Sequence, residues 1–252
     1  MPRRTSYRAG VPCWIDCLSC DPTATQDFYR ALFGWTFDPG PNPAGPAGGY
    51  RLIRCRGEII GGLGVLDADR TGSWTTYLAS KDLTATVAAV RMLGGRIVLP
   101  PTPVGRDGTL CLALDTTGTA VGFFCGAHAD GVVLIDEPGA VVRHQLQTSC
   151  LTAAATFYGG LVDGTIEPDG DRARLVIDGR SHADLLQLEA GRAALPGWIP
   201  IFGVADLTVA TARATVAGGS TVAASGPGAP GRDVLVRDPT GAVLGLTEVR
   251  TR

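Results

Sequence analysis

The sequence predicts an α+β chain of four tandem β-α-β-β-β modules, grouped in pairs as two domains with curved mixed sheets. Three observations carry this. Phe28-Tyr29-Arg30-Ala31-Leu32-Phe33-Gly34-Trp35 returns in weakened form as Phe157-Tyr158-Gly159-Gly160-Leu161-Val162-Asp163-Gly164. A longer pattern, Trp74…Asp82-Leu83-Thr84…Gly94-Gly95…Asp115-x-x-Gly118, returns as Trp198…Asp206-Leu207-Thr208…Gly218-Gly219…Asp238-x-x-Gly241. Each module also closes on a hairpin turn, at Arg56-Gly57-Glu58, Asp115–Gly118, Asp178-Gly179-Arg180 and Asp238–Gly241. An aromatic pair at a helix end buries a large area against a sheet. The glycine that follows can take the left-handed conformation that closes the helix.

In chain order, Cys13 to Leu18 reads as a strand. Asp21-Pro22 starts a helix, with Asp as cap and Pro in the first turn. Ala24, Phe28, Ala31 and Leu32 give its apolar stripe, and Gly34 ends it. Trp35 to Phe37 begins a strand, a mobile Pro/Gly-rich loop runs from Asp38 to Gly49, and Tyr50 to Cys55 pairs with Ile59 to Leu66. The second module has a strand at Trp74 to Ala79 and a helix capped by Asp82. Its later strands are Ile97 to Leu99, Thr109 to Leu114 and Ala120 to Phe124. The third has strands at His144 to Thr148, Arg174 to Ile177 and His182 to Leu188, with a helix at Thr152 to Tyr158. The fourth opens at Trp198 to Phe202, starts a helix near Asp206, and closes with Asp233 to Val236 and Ala242 to Thr247. The expected organisation is a tail at 1–9, a domain at 10–126, a linker at 127–140 and a domain at 141–252.

The 252 residues are 45% hydrophobic and 18% charged, ample for two cores. A net charge of −2 without a basic stripe argues against nucleic acid. The basic start lacks the apolar stretch of a signal peptide, and no run approaches the roughly 18 apolar residues of a membrane span. A cytoplasmic protein is expected. Seven cysteines include Cys17-x-x-Cys20, but no second such pair completes a metal site, so they read as small packing residues. No P-loop, no GxGxxG after a strand and no GxSxG occurs; Gly45 to Gly49 and Gly226 to Gly231 read as loops, and His128 as an exposed linker residue.

Trp14…Asp21…Phe28-Tyr29…Phe33-Gly34-Trp35, then Gly57…Gly61-Gly62, Trp74…Tyr77…Asp82, Gly94-Gly95 and a terminal Asp-x-x-Gly resemble the vicinal oxygen chelate superfamily. This is the glyoxalase and bleomycin-resistance fold, and the pattern is most similar to two-domain actinobacterial proteins often labelled hydroxylases. The resemblance covers residues 10–248 and implies two glyoxalase-like domains, each curling its sheet into a half-open cup that holds a small molecule. It also implies where a divalent metal would be held. Those positions fall on Trp14, Thr75 and Gly122 in the first domain and on Arg143, Ile199 and Gly245 in the second. None of these is a good ligand, so no metal and no cofactor is expected. His144 is one residue from such a position, and a slip in register would turn it inward.

By strand parity Trp14, Asp16, Thr75, Tyr77 and Phe124, with Gly122, would line the first cup, and Arg143 and Gln145 the second. Tyr50, at the head of its strand, joins the ligand-binding candidates. Ordinary core packing is the competing reading for Trp14 and Phe124. Asp16 is harder to dismiss, because an unpaired buried carboxylate is costly. His182 and Asp184, two apart on one strand, could act as base and orienting acid, or face solvent on the outer side of the sheet. The expectation is a metal-independent protein holding an aromatic or polyketide-like molecule, in antibiotic biosynthesis or resistance. The alternatives are a metal-free isomerase, cyclase or hydroxylase using Asp16 or His182/Asp184, and a metal-dependent glyoxalase or dioxygenase. Monomer and homodimer stay open.

Overall fold

The computed structural model describes residues 4, 6–40, 49–106, 108–126, 131–188, 197–224 and 233–249. His128, most of the Pro/Gly-rich loop after Asp38 and the glycine run from Gly226 lie outside the described residues.

Two eight-stranded mixed sheets carry the chain, neither closed into a barrel. The first holds β1 (Pro12–Ser19), β2 (Thr36–Pro39), β3 (Arg51–Cys55), β4 (Glu58–Val65), β5 (Ser73–Ala79), β6 (Arg96–Val104), β7 (Gly108–Leu114) and β8 (Ala120–Gly126). The second holds β9 (Val141–Thr148), β10 (Thr165–Asp169), β11 (Arg172–Ile177), β12 (Arg180–Gln187), β13 (Gly197–Val204), β14 (Ser220–Ala224), β15 (Asp233–Arg237) and β16 (Val243–Glu248). The strand orders are β2-β3-β4-β1-β5-β8-β7-β6 and β10-β11-β12-β9-β13-β16-β15-β14, one pattern used twice. Within each sheet the two modules meet through an antiparallel central pair, β1 with β5 and β9 with β13.

The helices are α1 (Pro22–Phe33), α2 (Leu83–Met92), α3 (Leu151–Leu161) and α4 (Leu207–Val216). Asp21, Asp82 and Asp206 each accept backbone N–H groups of the first turn, as the sequence indicates. Gly34 closes α1 at φ 72°. The repeat fails at α3, which begins at Cys150 with no side-chain cap and runs through Gly159 and Gly160 rather than ending there. Packing explains the glycine: a Cβ on Gly160 would stand 2.7 Å from Leu93 Cδ2, so the position serves close approach of α2 and not a cap. Three other expectations shift. β10 and β14 are additional edge strands, and β6 extends through Pro100 and Pro101, which an edge strand tolerates.

α1 packs on α4 and α2 on α3, so each helix meets one from the other half. Two hydrophobic cores follow. One joins Phe28, Tyr29, Trp35 and Trp74 to Phe202, Ala210 and Leu244; the other joins Leu78, Val90 and Phe123 to Phe157, Tyr158 and Trp198. The repeated tyrosines fasten the halves reciprocally. Tyr29 donates to Asp238 at 3.2 Å and accepts from Trp74 at 3.0 Å. Tyr158 donates to Asp115 at 3.1 Å and accepts from Trp198 at 2.9 Å. Among the described residues, no helix is long and apolar enough to cross a membrane.

Candidate functional site

Past a register shift at Cys13, alternation along β1 turns Ile15 and Cys17 into the core with Phe28 and Tyr29 and leaves Trp14 and Asp16 on the opposite face. Asp16 stands across from Thr75 on β5 and Gly62 on β4, and Trp14 across from Tyr77, which stands beside Gly122 on β8. The face away from the helices thus gathers Trp14, Asp16, Tyr50, Thr75, Tyr77 and Phe124. This is the set the sequence assigns to the first cup.

Asp16 is 5% exposed and is the polar centre of the group. Its Oδ1 accepts from Trp14 Nε1 at 2.8 Å and from the Tyr50 hydroxyl at 2.5 Å. Trp14 Nε1 also lies 3.2 Å from the Tyr50 oxygen. The Trp14 and Phe124 rings stand 6.4 Å apart at 31°, an aromatic wall. Burial raises the Asp16 pKa above the ordinary carboxyl range, opposed by hydrogen bonds from Tyr50, Trp14 and Tyr77. Burial, with the Asp16 charge beside them, also pushes the Tyr50 and Tyr77 phenols well up. The result is a carboxyl that keeps its proton to higher pH than a free one, beside phenols that keep theirs.

Two glycines make the arrangement possible. A Cβ on Gly62 would overlap the Tyr50 hydroxyl and stand 2.6 Å from Asp16 Oδ1. A Cβ on Gly122 would overlap the Tyr77 ring. Parity arguments miss Gly62, whose role is the space it leaves for the Tyr50 side chain, just ahead of β3.

The second sheet fills the corresponding space with charge. Arg143 Nε lies 3.1 Å from Asp184, and its Nη2 pairs with Asp233. Gln145 is buried beside it, opposite Asp184 on β12. At Gly245 an added Cβ would overlap Ile201. The positions carried over for a metal therefore hold an indole bonded to Asp16, a threonine, a glycine covered by a phenol ring, a guanidinium between carboxylates, an isoleucine and a glycine covered by an isoleucine. That donor set does not fit a divalent cation. Among the described residues, no three His, Cys, Asp or Glu side chains group as a metal site. All seven cysteines are free thiols.

His182 and Asp184, offered by the sequence as a base–acid pair or as a solvent-facing pair, take separate partners. Leu175 pairs with Ala183 and the next residue, Val176, with Ser181, so His182 is the extra residue of a β-bulge. The bulge breaks the alternation that placed both side chains on one face. Asp184 instead serves Arg143, with a pKa raised by burial. His182 lines a cavity of about 410 Å³ with Tyr7, Arg180 and His144, where β1 meets β9 and the start of β12. His144 does not turn inward with Arg143. Its Nδ1 lies 3.2 Å from Thr76 Oγ1, and burial with the nearby His182 lowers its pKa to about 3.

The chain is 31% identical over 257 residues to CFP32 of Mycobacterium bovis, named provisionally as a glyoxylase, covering 98% of this chain and 97% of that protein. It is 27% identical over 267 residues to the anthracycline biosynthesis protein DnrV of Streptomyces peucetius, covering 98% of this chain and 96% of the other. Among solved structures it is similar to a Mn(II)-bound glyoxalase from Novosphingobium aromaticivorans, at TM-score 0.67 and 14% identity over 96% of this chain and 82% of that one. The 2,3-dioxygenase LapB from Pseudomonas sp. KL28 follows at 0.66 and 11%, over 98% and 94%. At these identities the structures speak for the fold alone. No protein-family profile matches the chain.

Proposed function

The chain belongs to the vicinal oxygen chelate superfamily, and from that premise we propose a metal-independent member that binds a planar aromatic or polyketide-like molecule in the first cup. The observation that carries this is the Trp14–Asp16–Tyr50 cluster, seated where the superfamily would place a cation ligand. Trp14 and Phe124 offer a face for stacking, and the Asp16 carboxyl and the Tyr50 and Tyr77 hydroxyls offer hydrogen bonds to phenol or quinone oxygens. A relative in anthracycline biosynthesis is consistent with a ligand of this shape. The test is titration calorimetry of the whole chain against hydroxylated anthraquinones. Micromolar binding, weakened at least tenfold by Trp14→Ala and unchanged by dialysis against a chelator, is expected. Binding that vanishes with the chelator and returns with manganese would reverse the reading.

A second reading, an acid–base enzyme in the same cup, is favoured by the raised pKa of Asp16. A buried carboxyl with a raised pKa can pass a proton to or from a bound phenol or enol, with the two tyrosines stabilising an oxyanion. Turnover separates the readings: an enzyme converts a bound hydroxylated anthraquinone and loses that conversion in Asp16→Asn beyond any loss of affinity, whereas a binding protein returns it unchanged.

A further inference from the structure

Two positions depart from the repeat together. Gln145 pairs with Asp184 as Asp16 pairs with Gly62, so His144 takes the place of Ile15 and His182 that of Ile60. Each sheet carries the same bulge, at Ile60 between β3 and β4 and at His182 between β11 and β12. Ile15 and Ile60 are at most 2% exposed and share one hydrophobic core. The two histidines are only partly buried and line the cavity of about 410 Å³. Imidazole in place of isoleucine gives up apolar burial and adds polar atoms that need partners, so core packing does not account for the pair.

The basic start of the chain supplies another wall. The Arg4 backbone N–H donates to the Val133 carbonyl at 2.9 Å, its guanidinium lies 4.5 Å over the Tyr7 ring, and the Tyr7 hydroxyl donates to the Val132 carbonyl at 2.8 Å. Arg180, two residues before His182, is exposed and lines the same cavity. Burial, and with it the charges of Arg4 and Arg180, hold the His182 pKa below its ordinary value, so the three groups lie close together. Neighbouring arginines are matched: Arg8 pairs with Asp178, and Arg143, which also borders the cavity, is held by Asp184 and Asp233. Among the described residues neither Arg4 nor Arg180 forms an ion pair, and Asp136 is the one acid on the lining. Two positive charges facing one negative leave the recess attractive to an anion.

We infer that this cavity, where the two sheets meet and apart from both cups, binds a small carboxylic acid with an apolar body. The guanidinium groups of Arg4 and Arg180 take the carboxylate, whose two coplanar oxygens match the arginine fork. The apolar body lies against Tyr7, Val132, Ile135 and Val142, which also line the cavity. The volume is in the range of small-molecule pockets, roughly 300–1,000 Å³, and exposed Arg180, Ser181 and Asp136 mark where solvent enters. A bare sulfate or phosphate would leave the apolar surface uncovered, and a neutral analogue would leave the arginines unmatched. Trp14 borders the cavity too, but its Nε1 is engaged by Asp16 and Tyr50, and neither of those residues lines it. The inference uses no group of the first cup's polar cluster, so each reading fails by itself.

The test is calorimetry of the full chain with cyclohexanecarboxylate and with octanoate, against cyclohexanecarboxamide and sulfate at equal ionic strength. Saturated acids offer no ring to stack on Trp14. Submillimolar binding of at least one acid is expected, with the amide and sulfate about tenfold weaker or more, the scale of one hydrogen bond to a charged group. Arg180→Gln, at an exposed position, should weaken binding by a similar factor, and adding Arg4→Gln should abolish it. Tyr50→Phe in the first cup should leave it unchanged. The inference falls if neither acid binds at millimolar concentration, or if the amide or sulfate binds equally well. It falls too if the double arginine variant, folded by circular dichroism, binds like the parent, or if Tyr50→Phe removes the binding.

Discussion

The Tyr50 hydroxyl donates to Asp16 at 2.5 Å through a space that exists only because residue 62 has no side chain. Asp16 lies on β1, Tyr50 immediately precedes β3, and Gly62 lies on β4 between those two strands. The contact makes Asp16 the hub of the first cup.

Gly62→Ala should therefore act on the cup through packing. The new methyl group must displace Tyr50 or Asp16, at a cost of about 1–3 kcal/mol, typical of overpacking. Urea unfolding would read the loss, and ligand titration should show at least a tenfold drop in affinity. An alanine variant with parental stability and affinity would mean that the cup tolerates the group.

Asp16 also sets a pH dependence. Burial raises its folded pKa, whereas the unfolded carboxyl titrates near about 3.9. The folded chain thus holds a proton that the unfolded chain has lost. That stability is fully present below the unfolded value and is lost as pH rises through the folded one. Asp16→Asn, neutral throughout, should gain on the parent as pH rises through and above the unfolded carboxyl range. Stability curves that stay parallel between pH 4 and 7.5 would contradict this.

Removing Arg143 should strand two carboxylates. Asp184 is already raised by burial with the guanidinium in place, and Asp233 is 6% exposed. Arg143→Ala should cost about 3 kcal/mol at pH 7, as expected for breaking a buried pair. The deficit should shrink as pH falls and Asp184, whose pKa burial raises, takes up a proton. Adding Asp184→Asn should recover part of it, and a double-mutant cycle in guanidinium chloride measures the coupling.

The Tyr29–Asp238 and Tyr158–Asp115 bonds join the two halves. Tyr29→Phe removes a donor to a buried carboxylate and leaves the Trp74 N–H without its acceptor, and Tyr158→Phe does the same to Asp115 and Trp198. Each should cost about 1.5–3 kcal/mol. Thermal unfolding by calorimetry gives the size, and matched losses at the two sites would reflect the duplication.

How far the sequence could be read follows the range of the forces involved. Helix caps at Asp21, Asp82 and Asp206 and hairpin turns at Arg56-Gly57 and Asp178-Gly179 are chemistry within a few residues, and they hold. Parity holds for Trp14, Asp16, Thr75, Tyr77 and Phe124, because β1 pairs with β5 in register from Trp14 onward and β5 with β8 from Tyr77 onward. It fails at His182, where one inserted residue turns the side chain away from Asp184. Asp233 escaped notice although the repeat held the signal: aligned on the Asp-x-x-Gly turn, it replaces Leu110.

The sequence by itself determined the four modules, their pairing and the sheet face that Trp14, Asp16, Thr75, Tyr77 and Phe124 share, because repeats, caps and strand alternation are local and written in order. Only the tertiary structure decided that Tyr50 reaches Asp16 over Gly62, that Arg143 is shared by two acids, and that each tyrosine of the repeat bonds the other half's turn. Those contacts join residues far apart in the chain, and their geometry depends on how twisted sheets bring distant side chains within hydrogen-bond reach.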